Sequence, residues 1–132
     1  MATLSPSLTL LSTDATSDPL SFTVEDTLTV VAPLVGISKI NATNAGAATK
    51  IVPDGTGISY LYVRHTGTTD GSTATAQLVD VEFTDDNLAF ARLGAGEFLF
   101  MPFSNAGATD GVQLQVAHNS VVQMEYAFFT KG

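Results

Sequence analysis

The sequence predicts an all-β protein, a single β-sandwich of about eight short strands with a jelly-roll-like or immunoglobulin-like topology. Three observations predict this class. Apolar and polar residues alternate with a two-residue period, for example over 112–117 and 121–130, and this is the period of a strand with one buried face. Turn-forming Gly, Asn and Asp residues separate such segments. No segment shows the sustained 3.6-residue period and capping residues of a helix.

The N-terminal residues predict two elements. Residues 1–19 are rich in Ser, Thr, Asp and Pro, which favours an extended arm, with a frayed terminus as the alternative. The sandwich domain is predicted to follow over residues 20–132. Its first strand lies in "LSFTVEDTLTV", residues 20–30, where Phe22 and Val24 belong to the predicted buried face. Asp26 interrupts that face, so a bend or bulge is expected there.

The segment "ISYLYVRHT", residues 58–66, is apolar on both faces, which predicts a central strand or one covered by another element or subunit. Further strands are predicted near residues 50–52, over 74–83, and in "LAFARL", "EFLFMPF", "VQLQVA" and "VVQMEYAFFT". The segment "RLGAGEF" predicts the tip of a hairpin, because Gly94 and Gly96 permit backbone conformations closed to other residues. Glu97 is therefore assigned to a turn. A phosphate-binding glycine loop would be followed by a helix, not by a strand.

Composition and charge limit the classes of function. The chain has 132 residues and suits one domain, and the absence of Cys excludes disulfides and thiolate metal sites. Charged residues make up 14% of the chain, against about 25% in ordinary domains. The net charge is −8 and the five cationic residues are scattered, which argues against binding to nucleic acid or to an anionic membrane surface. Without a signal-peptide pattern or an 18-residue apolar run, we expect synthesis in the cytoplasm.

Candidate catalytic and metal-binding residues are few. His65 and His118 lie far apart in the sequence, and each is interpreted as an exposed or hydrogen-bonded residue at a strand edge. Acidic turns around Asp14 and Asp18, Asp70, and Asp85 and Asp86 contain ligands that Ca²⁺ prefers. Asp and Asn also favour turns for conformational reasons. No Gly-x-Ser-x-Gly motif is present. The sequence thus predicts no enzyme activity, cofactor or metal.

Several apolar residues are predicted to lie at an interface. Phe128 and Phe129 are adjacent and face opposite sides of a strand, so one of them is expected outside the core. The arm contributes the apolar segment "LTLL", which could add a strand to a neighbour's sheet edge. These features predict an oligomer, with three-fold symmetry as the expectation. The predicted interface residues are Leu8, Leu10, Leu11, Leu61, Val63, Phe128 and Phe129.

Residues 58–132 resemble small accessory virion proteins of tailed bacteriophages. The resemblance lies in the segments "ISYLYVRHTGTTDGSTATAQLVD", "FARLGAGEFLFMPF" and "VQLQVAHNSVVQMEYAFFTKG". It implies a β-sandwich without a catalytic centre that decorates or cements the outer surface of a capsid. The implied partners are the major capsid protein and copies of the chain itself, in a trimer. Two alternatives stay open: a receptor-binding tip or another structural component of a tail fibre, and, less favoured because there is no Trp, a carbohydrate-binding module.

Overall fold

The computed structural model describes residues 2–31, 36–43, 48–55, 57–104, 109–116 and 120–132. These residues contain no helix, and so none long and apolar enough to span a membrane. They form twelve strands, which confirms the predicted all-β class. The strands are β1 (Ala2–Leu4), β2 (Ser7–Ser12), β3 (Leu20–Glu25), β4 (Leu28–Val30), β5 (Ser38–Thr43), β6 (Thr49–Val52), β7 (Tyr60–His65), β8 (Val79–Phe83), β9 (Ala89–Leu93), β10 (Phe98–Pro102), β11 (Val112–Val116) and β12 (Val121–Phe129).

Strands β5 to β12 form a sandwich of two four-stranded antiparallel sheets packed in two layers. The first sheet has the order β10-β7-β12-β5, and the second has the order β6-β11-β8-β9. The pairing is nested, because β5 pairs with β12, β6 with β11, β7 with β10, and β8 with β9. This is the topology of a jelly roll. The structure therefore selects the jelly roll over the immunoglobulin-like order, and it confirms the predicted central position of β7.

The core lies between the two sheets and follows from the alternation of side chains along each strand. In β11, Val112, Leu114 and Val116 are fully buried, whereas Gln113 and Gln115 point to the opposite face. Both sheets contribute, since Leu61 and Met124 of the first sheet belong to the same buried cluster. Full burial of one such side chain stabilises a fold by about 1.5–3 kcal/mol, so this cluster provides the sandwich with a core of its own.

Residues 1–33 and 131–132 form a separate compact unit. It consists of two antiparallel pairs, β1 with β4 and β2 with β3. Gly132 joins this unit through its backbone, because its amide donates a hydrogen bond to the carbonyl of Thr29 at 2.9 Å. The predicted boundary between arm and sandwich, at residues 19 and 20, falls between β2 and β3, which pair with each other over six residues. The predicted arm thus contains β1 and β2 and ends in the connection that leads to β3.

The predicted bend at Asp26 is confirmed, because β3 ends at Glu25 and β4 begins at Leu28. Asp26 donates its amide to the carbonyl of Pro6 at 3.1 Å. Its carboxylate accepts a hydrogen bond from the amide of Thr27 at 2.7 Å. An Asp side chain that bonds its neighbouring backbone in this way competes with the ladder of a strand, which explains why the strand is interrupted at this residue.

The segment "RLGAGEF" is a turn, as predicted, but it is not the tip of a hairpin. Strand β9 belongs to the second sheet and β10 to the first, so the segment carries the chain from one layer to the other. Gly96 adopts a φ of 83°, which favours glycine. Glu97 closes the turn: its carboxylate accepts the amide hydrogen of Gly94 at 2.6 Å, and its own amide donates to the Gly94 carbonyl at 3.0 Å.

Candidate functional site

His65 is a buried structural residue rather than the edge residue that the sequence predicted. Its side chain is fully buried on the core face of β7. The amide of Gly67 donates to Nδ1 at 2.9 Å, so that nitrogen carries no proton, and Nε2 donates to the carbonyl of Gln77 at 2.8 Å. The hydrogen-bonded part of the prediction is confirmed, whereas the exposed position is wrong. His118 lies outside the described residues.

The acidic turn at Asp70 uses its carboxylate to hold the local backbone. One oxygen of Asp70 accepts hydrogen bonds from the amides of Ser72 and Thr73 at 2.9 and 2.7 Å, and both hydroxyls of these residues also donate to the carboxylate. The bond from the Thr73 amide, followed by that from the Ser72 amide, lowers the pKa of Asp70 from 3.8 to about 2. The carboxylate therefore acts as a turn-forming group.

In the part of the chain that the structure describes, no group of three or more His, Asp or Glu side chains is arranged to hold a metal ion. In the turn with Asp85 and Asp86, Asp86 accepts a hydrogen bond from the amide of Leu88 at 3.0 Å. Asn87, next in the chain, adopts a φ of 56°, a left-handed conformation that Asn tolerates better than most residues. These contacts have the geometry of a turn.

The outward face of the first sheet is aromatic. Because Leu61 and Val63 point into the core, Tyr60 and Tyr62 of β7 point away from it, and their neighbours on β10 and β12 share that face. Tyr60 and Phe100 are stacked with ring centroids 6.3 Å apart and an interplanar angle of 6°. Phe98 is 59% exposed at the sheet edge. We call this surface the aromatic face; it comprises Tyr60, Tyr62, Phe98, Phe100 and Phe129. Tyr60, 8% exposed, is the buried member of this face.

One ion pair crosses the sheet beside the aromatic face. Arg64 Nη1 lies 3.4 Å from Glu125 Oε1, and the two residues are cross-strand partners. Burial, and then the charge of Glu125, raise the pKa of Tyr62 above its ordinary value of 10.0. Large apolar side chains left partly exposed on one face are typical of a surface that contacts another protein.

The outward face of the second sheet is polar. Arg92 forms two hydrogen bonds to the carboxylate of Asp80, at 2.6 and 3.1 Å, and this contact raises the pKa of Arg92. Glu82 is buried, and Gln113 donates to it at 2.6 Å and to Asn87 at 2.8 Å. These polar groups are thus paired with one another, so a partner would gain few new hydrogen bonds or ion pairs by binding this face.

The hairpin formed by β2 and β3 has one apolar and one polar face. Cross-strand pairs place Leu8 opposite Val24 and Leu10 opposite Phe22, while Thr9 lies opposite Thr23 with their hydroxyls 3.0 Å apart. We call the four apolar residues the apolar hairpin face; each is between 42% and 49% exposed. The burial predicted for Phe22 and Val24 is therefore wrong. The alternation is correct, but it leads to an exposed apolar surface.

The seven predicted interface residues divide into three groups. Leu8 and Leu10 belong to the apolar hairpin face, and Leu11, 72% exposed, lies on the opposite face of the same hairpin. Leu61 and Val63 are fully buried in the core of their own chain, so the expectation that they reach a partner is wrong. Phe128 packs against that core, whereas Phe129 shares the outward face with Tyr60.

Four residues that the sequence does not predict at a surface lie on one in the structure. The alternation predicts that Phe22 and Val24 lie on a buried face, and the sequence does not assign Phe98 or Phe100 to a surface. The cross-strand register places Phe22 and Val24 on the same surface as Leu10. It places Phe98 and Phe100 on the same surface as Phe129. Comparison of the chain with protein-family models, with curated proteins and with solved structures finds no match.

Proposed function

We propose that this chain is a structural virion protein of a tailed bacteriophage, a decoration or cement protein that binds the outer surface of the head and stabilises it by bridging shell subunits. The apolar hairpin face is the observation that carries the proposal. A two-stranded hairpin is at best marginally stable in water by itself. An ordered hairpin that exposes four large apolar side chains on one face therefore fits a role in which a partner covers them.

The size of this face suggests how the protein binds. Full burial of a Val, Leu or Phe side chain is worth about 1.5–3 kcal/mol. The four side chains of the apolar hairpin face are each a little under half exposed, so covering them would contribute about 3–5 kcal/mol in total. Association costs about 4 kcal/mol or more in lost motional freedom. One hairpin would thus bind weakly, and several hairpins on one oligomer would bind tightly through effective concentration.

The aromatic face supplies a surface for that oligomer. It presents Phe98 and Phe100 at a sheet edge, on a different unit of the chain from the hairpin. We propose that copies of the chain associate through this face, with three-fold symmetry, while their hairpins contact the shell. The net charge of −8 and the scattered cations fit a protein that binds the outside of the head and not the packaged genome.

A binding assay with two adjacent leucines tests the proposal. Undecorated heads are mixed with wild-type protein, with Leu10→Ser, and with Leu11→Ser, and bound protein is measured by sedimentation. Leu11 is the matched control, because it neighbours Leu10 in the same strand but lies on the other face and is more exposed. Leu10→Ser is expected to weaken binding about tenfold, whereas Leu11→Ser should bind as the wild type does.

Two further measurements test bridging and assembly. Heads carrying wild-type protein should release their genome at a higher temperature than bare heads, and heads incubated with Leu10→Ser should lose that gain. Light scattering should report a trimer of the free protein. Wild-type protein that stays monomeric at high concentration and never binds heads would contradict the proposal. Binding to tails instead of heads would assign the protein to the tail fibre.

A further inference from the structure

The charge of the hairpin suggests what kind of surface it binds, an inference that rests on the proposed function. Residues 2–31 contain four carboxylates and no Lys, Arg or His. The ion pairs Lys50–Asp54, Arg64–Glu125 and Arg92–Asp80 all lie in the sandwich, and none of the four carboxylates takes part in them. Within residues 2–31 the hairpin therefore presents an apolar face whose charged neighbours are all carboxylates, while the one cation that the structure describes in the same compact unit, Lys131, forms a β-bridge with Val30 of β4.

The carboxylates lie at the two ends of the hairpin. Asp14 and Asp18 belong to the connection between β2 and β3, whereas Asp26 follows the last cross-strand pair, Ser7 with Glu25, at the other end. Glu25 itself lies on the face of the hairpin opposite the apolar hairpin face. Since β2 and β3 pair over six residues, the two ends are separated by about 17 Å at the rise of an antiparallel strand. Asp18 and Asp26 are exposed. The apolar hairpin face is thus bracketed by negative charge at each end.

We propose that the surface bound by the hairpin is an apolar patch of the shell subunit, bordered at both ends by Lys or Arg side chains about 17 Å apart. Contact with the same hairpin of a second copy is disfavoured. It would bring carboxylates of equal charge together around a small apolar area. An apolar patch with a basic border complements both the carboxylates and the apolar side chains of the hairpin, because its cations would pair with the carboxylates while its apolar groups pack against the apolar hairpin face.

The test neutralises two carboxylates of the hairpin and two elsewhere. The variant Asp18→Asn/Asp26→Asn removes one charge from each end of the hairpin, and Asn retains the oxygen that accepts the amide hydrogen of Thr27. The matched control, Asp85→Asn/Asp86→Asn, changes the net charge equally in an exposed turn of the sandwich, and Asn retains the oxygen that caps Leu88. Both variants and the wild type are mixed with undecorated heads in sodium chloride from low to high concentration, and circular dichroism verifies their folding.

The hairpin variant is expected to bind about 2- to 30-fold more weakly than the wild type at low salt, the sum of two exposed charge pairs. Wild-type binding should weaken as salt rises, because exposed ion pairs are screened, and the hairpin variant should lose most of this salt dependence. The control should match the wild type.

Other outcomes separate this inference from the proposed function. Wild-type binding that is independent of salt, together with unchanged binding by the hairpin variant, would overturn the basic border but leave head binding intact. If both variants weakened binding equally, the attraction would depend on net charge alone, and the proposed basic border would again be overturned. Loss of self-association in the hairpin variant, seen by light scattering, would identify a second copy as the partner. No wild-type binding at any salt would overturn the proposed function.

Discussion

Strand β11 and the hairpin of β2 and β3 carry the same alternation of apolar and polar residues, but their apolar side chains end in opposite environments. In β11, Val112 and Leu114 are fully buried between two sheets. In the hairpin, Leu8 and Leu10 remain nearly half exposed. The local geometry is similar, since β11 pairs with β8, and β2 with β3, as antiparallel strands in regular register. They differ in the second layer: β11 faces another sheet of the same chain.

This contrast separates folding from binding. The sandwich buries its apolar side chains against one another, because its eight nested strands form two sheets that enclose one core. The hairpin has only two strands, and such a pair cannot bury its own apolar face. We therefore assign the stability of the chain to the sandwich, and the proposed recognition of the shell to the hairpin. Three predictions test this division.

The largest effect is expected from matched truncations of a core and a hairpin leucine. Leu114→Ala should destabilise the protein by about 2–5 kcal/mol, because it removes a fully buried side chain and leaves a cavity. Leu10→Ala should change the free energy of unfolding by less than about 0.5 kcal/mol in the free protein. Urea denaturation followed by circular dichroism measures both. Equal losses would show that the apolar hairpin face already contributes to the fold without a partner.

A smaller loss of stability is expected when hydrogen-bonding side chains are replaced by apolar ones. His65→Phe keeps the approximate volume but removes the partners of the Gly67 amide and the Gln77 carbonyl. An unsatisfied buried group costs about 1–3 kcal/mol, so the variant should be destabilised by at least that much. Thr23→Val removes the exposed Thr9–Thr23 hydrogen bond of the hairpin and should be nearly neutral in the same assay. A neutral His65→Phe would indicate that water reaches these groups.

The smallest effect is a pH dependence from Asp70, which lies in a sandwich loop. Its pKa is about 2 when folded against an ordinary value of 3.8, so folding favours the charged form. The resulting stabilisation is complete above about pH 4 and is lost as pH falls toward 2. Asp70→Asn should be less stable than the wild type at neutral pH, and the two should converge near pH 2. Melting temperatures measured from pH 2 to 7 test this, and parallel curves would contradict it.

Some strands were predictable from the sequence and others were not. The clean alternation in β11 and β12 identified both strands, and Asp26 marked the interruption between β3 and β4. The sequence does not predict strand β5, "SKINAT", because Ile40 and Ala42 are its only apolar residues, and the strand forms because β12 provides a paired edge. The turn at Gly96 was recognised from its glycines. Whether the next strand stays in the same sheet depends on distant partners, so the predicted hairpin was wrong.

The same limit applies to the candidate site. The segment "LTLL" indicates Leu8 and Leu10 as interface residues because three leucines among four residues stand out in a polar region. The sequence could not show that Phe22 and Val24 complete their surface, since this follows from the register of β2 with β3. Leu61 and Val63 were assigned to an interface because β7 is apolar on both faces. Their side chains pack against the second sheet instead.

The all-β class, the faces of the clearest strands, the main turns and the acidic, cation-poor composition can all be predicted from the sequence. Each of these depends on residues close together in the chain, through the two-residue period of a strand and the conformational freedom of glycine. The tertiary structure decided the nested jelly-roll order, the burial of Leu61, Val63 and His65, and the exposure of the apolar hairpin face. These depend on which distant strands pair and whether a second layer covers them, and no local pattern specifies that.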